Sequence, residues 1–156
     1  MSNKKILVVG AGNMGAGIAQ LCAQQGFETV ITDISADLSD KAKSRIEKGL
    51  RGRVEKGKLT EEEKNAILAR ITAAGDLKPA ADCDFIIESV LENIDIKRKV
   101  FSELDKIAPP DVVFATNTTS LSISAMAEAT SRAEKVVQMH FFNPPTIMKL
   151  VEIMPG

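Results

Sequence analysis

The chain has 156 residues, with 20 lysines and arginines against 21 aspartates and glutamates, 44% apolar residues and neither tryptophan nor tyrosine. That length suffices for one globular domain with a sizeable core of its own. A net charge of −1 lacks the basic excess of a general nucleic-acid binder, and the six phenylalanines leave little to stack on bases.

Ile6-Leu7-Val8-Val9 is a short apolar run rich in β-branched residues, which predicts a strand buried on both faces. From Met14 to Gln25 the period becomes helical, with Met14, Ile18, Leu21 and Cys22 on one face and Gly26 placed to stop the helix. Thr29 to Thr32 forms a second strand ending at Asp33, so the first thirty residues make a βαβ unit. Ala36 to Lys58 is polar and made mostly of helix formers. Thr60-Glu61-Glu62-Glu63 carries a capping-box pattern that starts a helix ending near Ile71. Phe85-Ile86-Ile87 predicts the next strand. Ile94 to Ile107 predicts a helix with Ile96, Val100, Phe101, Leu104 and Ile107 on one face, ended by Pro109-Pro110. Val112 to Ala115 is a strand and Ile123 to Ala129 a short helix. Lys135 to Phe142 and Met148 to Ile153 are two final strands around Asn143-Pro144-Pro145.

Strands alternating with helices predict an α/β fold, a doubly wound and largely parallel sheet with a polar helical arm and a C-terminal strand pair. No repeat or linker divides residues 1–156, which read as one domain. No apolar run is long enough to span a membrane, and the four apolar residues before Gly10 are too few for a secretory signal. Cys22 and Cys83 lie far apart without metal-ligand spacing, which suits a reducing compartment; no metal site is expected, and a cytoplasmic location is.

Gly10-Ala11-Gly12-Asn13-Met14-Gly15 matches G-x-G-x-x-G, directly after a predicted strand and at the start of a helix. Gly10 permits the tight turn, Gly12 lets backbone approach a pyrophosphate, and Gly15 lets helix and strand pack closely. Asn13 and Met14 place their N–H groups at the helix N-terminus, where phosphate is favoured. Asp33 follows Gly15 by 18 residues, where a carboxylate accepts from the adenosine ribose hydroxyls. Neither Ile34 nor Ser35 is an arginine that could receive a 2′-phosphate, so NAD is favoured over NADP. The bland alternative is a glycine turn whose aspartate caps the next helix.

His140, the only histidine, ends an apolar strand. A lone histidine there is more often a satisfied core residue than a catalyst. Glu152, a carboxylate inside Leu150-Val151-Glu152-Ile153-Met154, raises the catalytic reading, although an edge-strand glutamate facing water fits equally. A hairpin through Asn143-Pro144-Pro145-Thr146 could set imidazole beside carboxylate; the sequence does not fix the register. Such a pair beside a nicotinamide is what alcohol oxidation needs. Thr116-Asn117-Thr118-Thr119-Ser120 follows a strand and faces the ligand crevice in such folds, or else forms a polar helix entry with Ser120 or Ser122 as N-cap.

Met139-His140-Phe141-Phe142-Asn143-Pro144 with Met148-Lys149-Leu150-Val151-Glu152 resembles the signature of the short-chain L-3-hydroxyacyl-CoA dehydrogenases, the bacterial 3-hydroxybutyryl-CoA dehydrogenases in particular. The resemblance runs along the whole chain and implies a Rossmann-type domain. It makes His140 the catalytic base and Glu152 its orienting partner. It puts Glu92 and Lys97 on the dinucleotide near its nicotinamide end, and Asn143 beside nicotinamide and substrate. The family's Asn-Thr-Ser-Ser appears as Asn117-Thr118-Thr119-Ser120, so the serine that touches substrate falls on Thr119, which keeps the hydroxyl but adds a methyl.

From Lys41 to Lys58 there are eight basic and two acidic residues, a local charge of +6 concealed by the near-neutral total. This is either a solvated helix face or a receptor for a polyanion. The resemblance favours the polyanion coenzyme A, with Lys56 on one family contact and Gly49 where another contact, a serine, is missing. The implied activity is hydride transfer between NAD and a (3S)-3-hydroxyacyl-CoA thioester. The alternative is a dinucleotide-binding module or sensor without turnover. Family members continue after the strand carrying Glu152 into a helical domain that covers the crevice and makes the dimer interface. A chain ending at Gly156 is therefore expected to bind NAD and to catalyse poorly without that half.

Overall fold

The computed structural model describes residues 4–156; the first three residues of the N-terminal segment read above lie outside them. Among the described residues, five α-helices and seven strands occur in the order β1 Lys5–Val9, α1 Asn13–Gln24, β2 Glu28–Thr32, α2 Ala36–Glu55, α3 Glu61–Ala69, β3 Ile71–Ala74, β4 Phe85–Glu88, α4 Ile94–Ile107, β5 Val113–Thr116, α5 Ile123–Ala127, β6 Val136–Phe141 and β7 Val151–Pro155. The sheet order is β3-β2-β1-β4-β5-β6-β7, with six parallel strands and β7 antiparallel to β6. The first six strands have the doubly wound order of dinucleotide-binding domains, whose ligand crevice opens where the order reverses, between β1 and β4.

Period-two alternation along each strand divides the core into two layers. Ile6, Val8, Ile31, Ile87 and Ala115 pack on α1, α2 and α3 through Ile18, Ala19, Ile46 and Ile67. Leu7, Val9, Ile86 and Phe114 pack on α4 and α5 through Phe101, Leu104 and Met126. Both cysteines are buried, one in each layer, and burial pushes the Cys22 thiol up to about 12 and the Cys83 thiol up to about 11. Among the described residues no helix is long and apolar enough to cross a membrane.

The structure corrects the expected elements in three places. The helix opened by Thr60 stops at Ala69, and Ile71–Ala74 is a strand, β3. Its sequence, Ile-Thr-Ala-Ala, carries almost no apolar signal because it is an edge strand paired only with β2. The last strand is Val151–Pro155, two to three residues later than expected, because Thr146 to Leu150 belong to the turn that follows the cis Asn143–Pro144 bond. The apolar stripe of α4 is divided between two environments. Phe101 and Leu104 enter the core, whereas Ile96 and Ile107 are 40% and 36% exposed and line a crevice. The capping box is present, with Thr60 N–H donating to Glu63 at 2.8 Å and Glu63 N–H to the Thr60 hydroxyl at 3.1 Å.

Candidate dinucleotide and acid–base site

Four of the five α-helices begin with a side-chain cap, from Ser35, Thr60, Asn93 and Ser122. The exception is α1, whose N-cap is Gly12 and whose first N–H groups meet no capping side chain. A helix N-terminus left with free donors and no acidic residue in its first turn is suited to an anion. The glycines that shape it have distinct roles. Gly10 has φ +114° and lies so close to Ser89 that an added Cβ would stand 2.3 Å from the Ser89 carbonyl oxygen. A Cβ on Gly15 would stand 1.8 Å from the Gly10 carbonyl oxygen, whereas one on Gly12 would meet no protein atom within 4 Å. Gly10 and Gly15 are therefore glycines for the chain's own packing, and Gly12 keeps space open for a ligand. Gly17 admits the ring of Pro145, docking α1 against the turn that carries Asn143.

Asp33 directly follows β2 and accepts from Ala11 N–H and Ile34 N–H, each at 2.7 Å. The opposite side of the same loop residue is held from the basic arm: Arg45 on α2 donates to the Ala11 carbonyl at 2.8 Å. A cavity of about 1260 Å³ is lined by residues that include Gly12, Asn13, Met14, Asp33, Ile96, Ile107, Asn117 and Thr119. Glu92 is in its wall. The open space at Gly12, the uncapped N-terminus and the carboxylate just after β2 suit a dinucleotide.

Lys97 does not line this cavity. It is 1% exposed, and its ammonium lies 2.6 Å from Glu88 Oε1, 3.3 Å from the Val90 carbonyl and 3.4 Å from Glu92 Oε2. Glu88 is wholly buried at the end of β4, where it also accepts from the Thr116 hydroxyl at 2.6 Å and Val90 N–H at 2.8 Å. Glu92 in turn accepts from the Thr118 hydroxyl, Thr119 N–H at 3.1 Å and Ser120 N–H at 3.4 Å. The buried ion pair thus braces the carboxylate that ties the β4–α4 loop to the β5–α5 loop. Partial burial pushes the Glu92 carboxyl up, but the bonds from Thr118 and Thr119 and the Lys97 charge outweigh it and hold the group below its ordinary 4.5. Because the folded value is the lower one, this carboxylate stabilises the loops at neutral pH, and its contribution disappears as the pH falls through the lowered value. The Thr119 and Ser120 amide resonances are accordingly expected to titrate together at a pH below 4.5; a midpoint at or above 4.5 would contradict the clamp.

His140 and Glu152 are directly opposed in the β6–β7 ladder. Imidazole Nδ1 lies 3.3 Å from Glu152 Oε2, with the two side chains 22% and 59% exposed. The Phe142 ring packs against the imidazole at 4.8 Å between centroids. His140 lies near the carboxyl end of its strand, the end at which the crevice opens. Asn117 links the two parts of the site, accepting from Phe141 N–H at 3.0 Å and reaching the Ser89 hydroxyl at 3.4 Å. Thr119 is exposed at the crevice lip and Thr118 is buried. Asn143 is exposed in the β6–β7 turn, and Lys56 is exposed at the far end of α2, outside the cavity. Ser122, not Ser120, is the N-cap of α5. Glu88 has no place in the sequence reading, and Asn117 enters it only as part of the Thr116–Ser120 stretch. Glu152 stands inside an apolar run, whereas Glu88 closes one, Phe85-Ile86-Ile87, and a carboxylate directly after such a run is the signal that points to Glu88.

The model of the family described as 3-hydroxyacyl-CoA dehydrogenase, NAD binding domain, matches residues 5–156. The chain belongs to this family. It is 43% identical over 153 residues to a 3-hydroxybutyryl-CoA dehydrogenase of Bradyrhizobium diazoefficiens, covering 98% of this chain and 52% of that protein. It is 41% identical to a probable 3-hydroxybutyryl-CoA dehydrogenase of Bacillus subtilis, covering all of this chain and 54% of the relative. Among solved structures, the (S)-3-hydroxybutyryl-CoA dehydrogenase of Ralstonia eutropha superposes with a TM-score of 0.95 at 41% identity, over 99% of this chain and 55% of that one. The chain thus spans about half the length of these 3-hydroxyacyl-CoA dehydrogenase relatives.

Proposed function

We propose that this chain is the cofactor-binding half of an oxidoreductase that interconverts (3S)-3-hydroxyacyl-CoA and 3-oxoacyl-CoA with NAD. The observation that carries the reading is the His140–Glu152 pair, opposed across two strands near the carboxyl end of β6, the end at which ligands bind in such sheets. A module that only bound a dinucleotide would have no use for an imidazole aligned on a carboxylate. When bound, NAD supplies the hydride acceptor; the remaining chemistry belongs to side chains. Glu152 holds the imidazole with its proton on Nδ1, which leaves Nε2 to take the proton of the substrate's 3-hydroxyl. Glu152 then stabilises the imidazolium so formed. The Thr119 hydroxyl and the Asn143 amide orient the substrate, and Lys56 with its neighbours on α2 offers positive charge to the phosphates of coenzyme A.

Relatives act under names that differ in acyl group, 3-hydroxybutyryl-CoA dehydrogenase and the 3-hydroxyadipyl-CoA dehydrogenase of Escherichia coli. The thioester and hydroxyl chemistry is common to both, and 3-hydroxybutyryl-CoA is the substrate proposed here. The greater length of the relatives supports a further domain, and the resemblance read from the sequence implies that it is helical, closes the crevice and forms a dimer. Ile147, Met148, Leu150, Ile153 and Met154, exposed together around β7, are suited to lie beneath it. The two buried free thiols accord with a cytoplasmic location.

The test is oxidation of NADH in the presence of acetoacetyl-CoA, followed by nicotinamide absorbance. His140→Ala is expected to lower the rate by ~10²–10⁴-fold while leaving NADH binding intact. NADH binding without any acetoacetyl-CoA-dependent oxidation would favour either the non-catalytic module or a domain that needs the other half of its relatives for turnover.

A further inference from the structure

The β5–β6 ladder closes at the rung of Thr116 and Gln138. Beyond it β6 runs on to His140, and β5 gives way to the loop of Asn117, Thr118 and Thr119. The two are still joined there, by side chains in place of backbone pairs. The Gln138 amide donates to the Thr118 carbonyl at 2.8 Å, and Phe141 N–H donates to Asn117 Oδ1 at 3.0 Å. The first of these bonds falls on a peptide group that is held at its other side as well. Thr119 N–H, in the same planar unit as the Thr118 carbonyl, donates to Glu92 at 3.1 Å. A peptide plane gripped at both its carbonyl and its N–H cannot swing, which fixes the direction in which Thr119 leaves the loop.

The two threonines differ in what they have left to offer. Thr118 is wholly buried and its hydroxyl is used inside the protein, donating to Glu92 and accepting from Leu121 N–H at 3.1 Å. Thr119 lines the cavity, and among the described residues its hydroxyl takes no protein partner. Gln138 is 7% exposed, and its place on β6 has a second meaning. Side chains two apart on a strand share a face, so Gln138 and His140 point to the same side of the sheet. One strand thus carries both the imidazole and the amide that sets the Thr119 peptide. We propose that Gln138 is a positioning residue, locking the Thr118–Thr119 peptide so that the Thr119 hydroxyl and the His140 imidazole meet the acyl group of the substrate at a fixed spacing. The proposal rests on the substrate reading of Thr119. A hydroxyl ordered in advance spares the substrate the cost of ordering it.

The experiment compares, by titration calorimetry with NAD present, the affinity of acetoacetyl-CoA with that of coenzyme A, which lacks the acyl group. Cofactor and thioester are then both oxidised, so no turnover intervenes. Gln138→Met keeps the length of the side chain and removes its donor. It is expected to cut the preference for acetoacetyl-CoA about fivefold, the worth of one hydrogen bond, and to leave the affinities for coenzyme A and NAD within about twofold. Thr119→Val, which removes the hydroxyl, should cut the preference similarly. Because Gln138 acts through Thr119, the double variant should fall no further than Thr119→Val alone. Hydrogen exchange at the Thr119 amide should quicken in Gln138→Met. Circular dichroism melts would verify the fold, and Gln138→Asn, whose amide stops one carbon short of the Thr118 carbonyl, replaces the methionine variant if that one does not fold. A preference untouched by substitution of Gln138, a loss shared equally by coenzyme A, or losses that multiply in the double variant would each overturn the proposal. An unaltered chain with no preference for acetoacetyl-CoA would instead strike at Thr119 as a substrate residue, and this proposal would fall with it.

Discussion

Glu88→Gln is expected to lower the unfolding free energy by about 3–5 kcal/mol, and Lys97→Met by a similar amount. Each removes one partner of an ion pair that is 0% and 1% exposed and leaves the other charged in the interior. For Lys97 the remaining partners are Glu92 at 3.4 Å and a single carbonyl. For Glu88 they are one hydroxyl and one amide. The pair itself adds far less than either loss suggests, because two charges were taken out of water to form it. The double variant Glu88→Gln/Lys97→Met should therefore regain much of the stability, a strong non-additivity in urea denaturation. Single variants that each cost under about 1 kcal/mol would refute the buried-pair account. The double variant has a second use: with Lys97 gone, Glu92 loses its nearest cation, and its loop clamp should release at a higher pH than in the unaltered chain.

The second large effect separates two glycines of one motif. Gly15→Ala puts a Cβ against the Gly10 carbonyl, backbone that cannot swing aside, so the loop itself must move. A loss of about 1–3 kcal/mol in stability is expected, as for other forced overpacking. A weakening of NADH binding by at least about tenfold should accompany it. Gly12→Ala has no protein atom within 4 Å of the new methyl group and should leave the melting temperature unchanged. It should nonetheless weaken NADH binding by about tenfold, because the methyl takes the place intended for phosphate. Thermal melts alongside fluorescence titrations would settle both. A Gly12→Ala protein that melts low, or a Gly15→Ala protein that melts and binds normally, would reverse the assignment of the two roles.

The glycine loop was legible in sequence because backbone crowding restricts residue type, and a Cβ-free position announces itself as a letter. Core strands such as Leu7-Val8-Val9 were legible because both faces are covered and every residue must be apolar. Ile71–Ala74 was not, because an edge strand has only partial cover to satisfy and shows no such run. The acid–base residues illustrate a different limit. His140 and Glu152 could be nominated one at a time, but their partnership is a property of ladder register, which side-chain pattern alone leaves open. The Glu88–Lys97–Glu92 network was hidden because it depends on how α4 packs back over the end of β4. Lys97, expected from the resemblance to touch the dinucleotide, is placed by the fold behind the crevice wall, where it acts on Glu92.

The β6–β7 ladder also divides the C-terminal segment into parts with different freedom to change. Because neighbouring side chains on a strand point to opposite faces, one residue inserted between Val151 and Glu152 would turn the carboxylate away from the imidazole. One residue inserted between Thr146 and Lys149 would lengthen a turn without altering which residues oppose each other. Insertions and deletions tolerated by function should therefore collect between Asn143 and Val151, while the spacing from Val151 to Glu152 and from His140 to Phe141 stays fixed. Chemistry at this site is encoded by parity along a strand more than by distance along the chain.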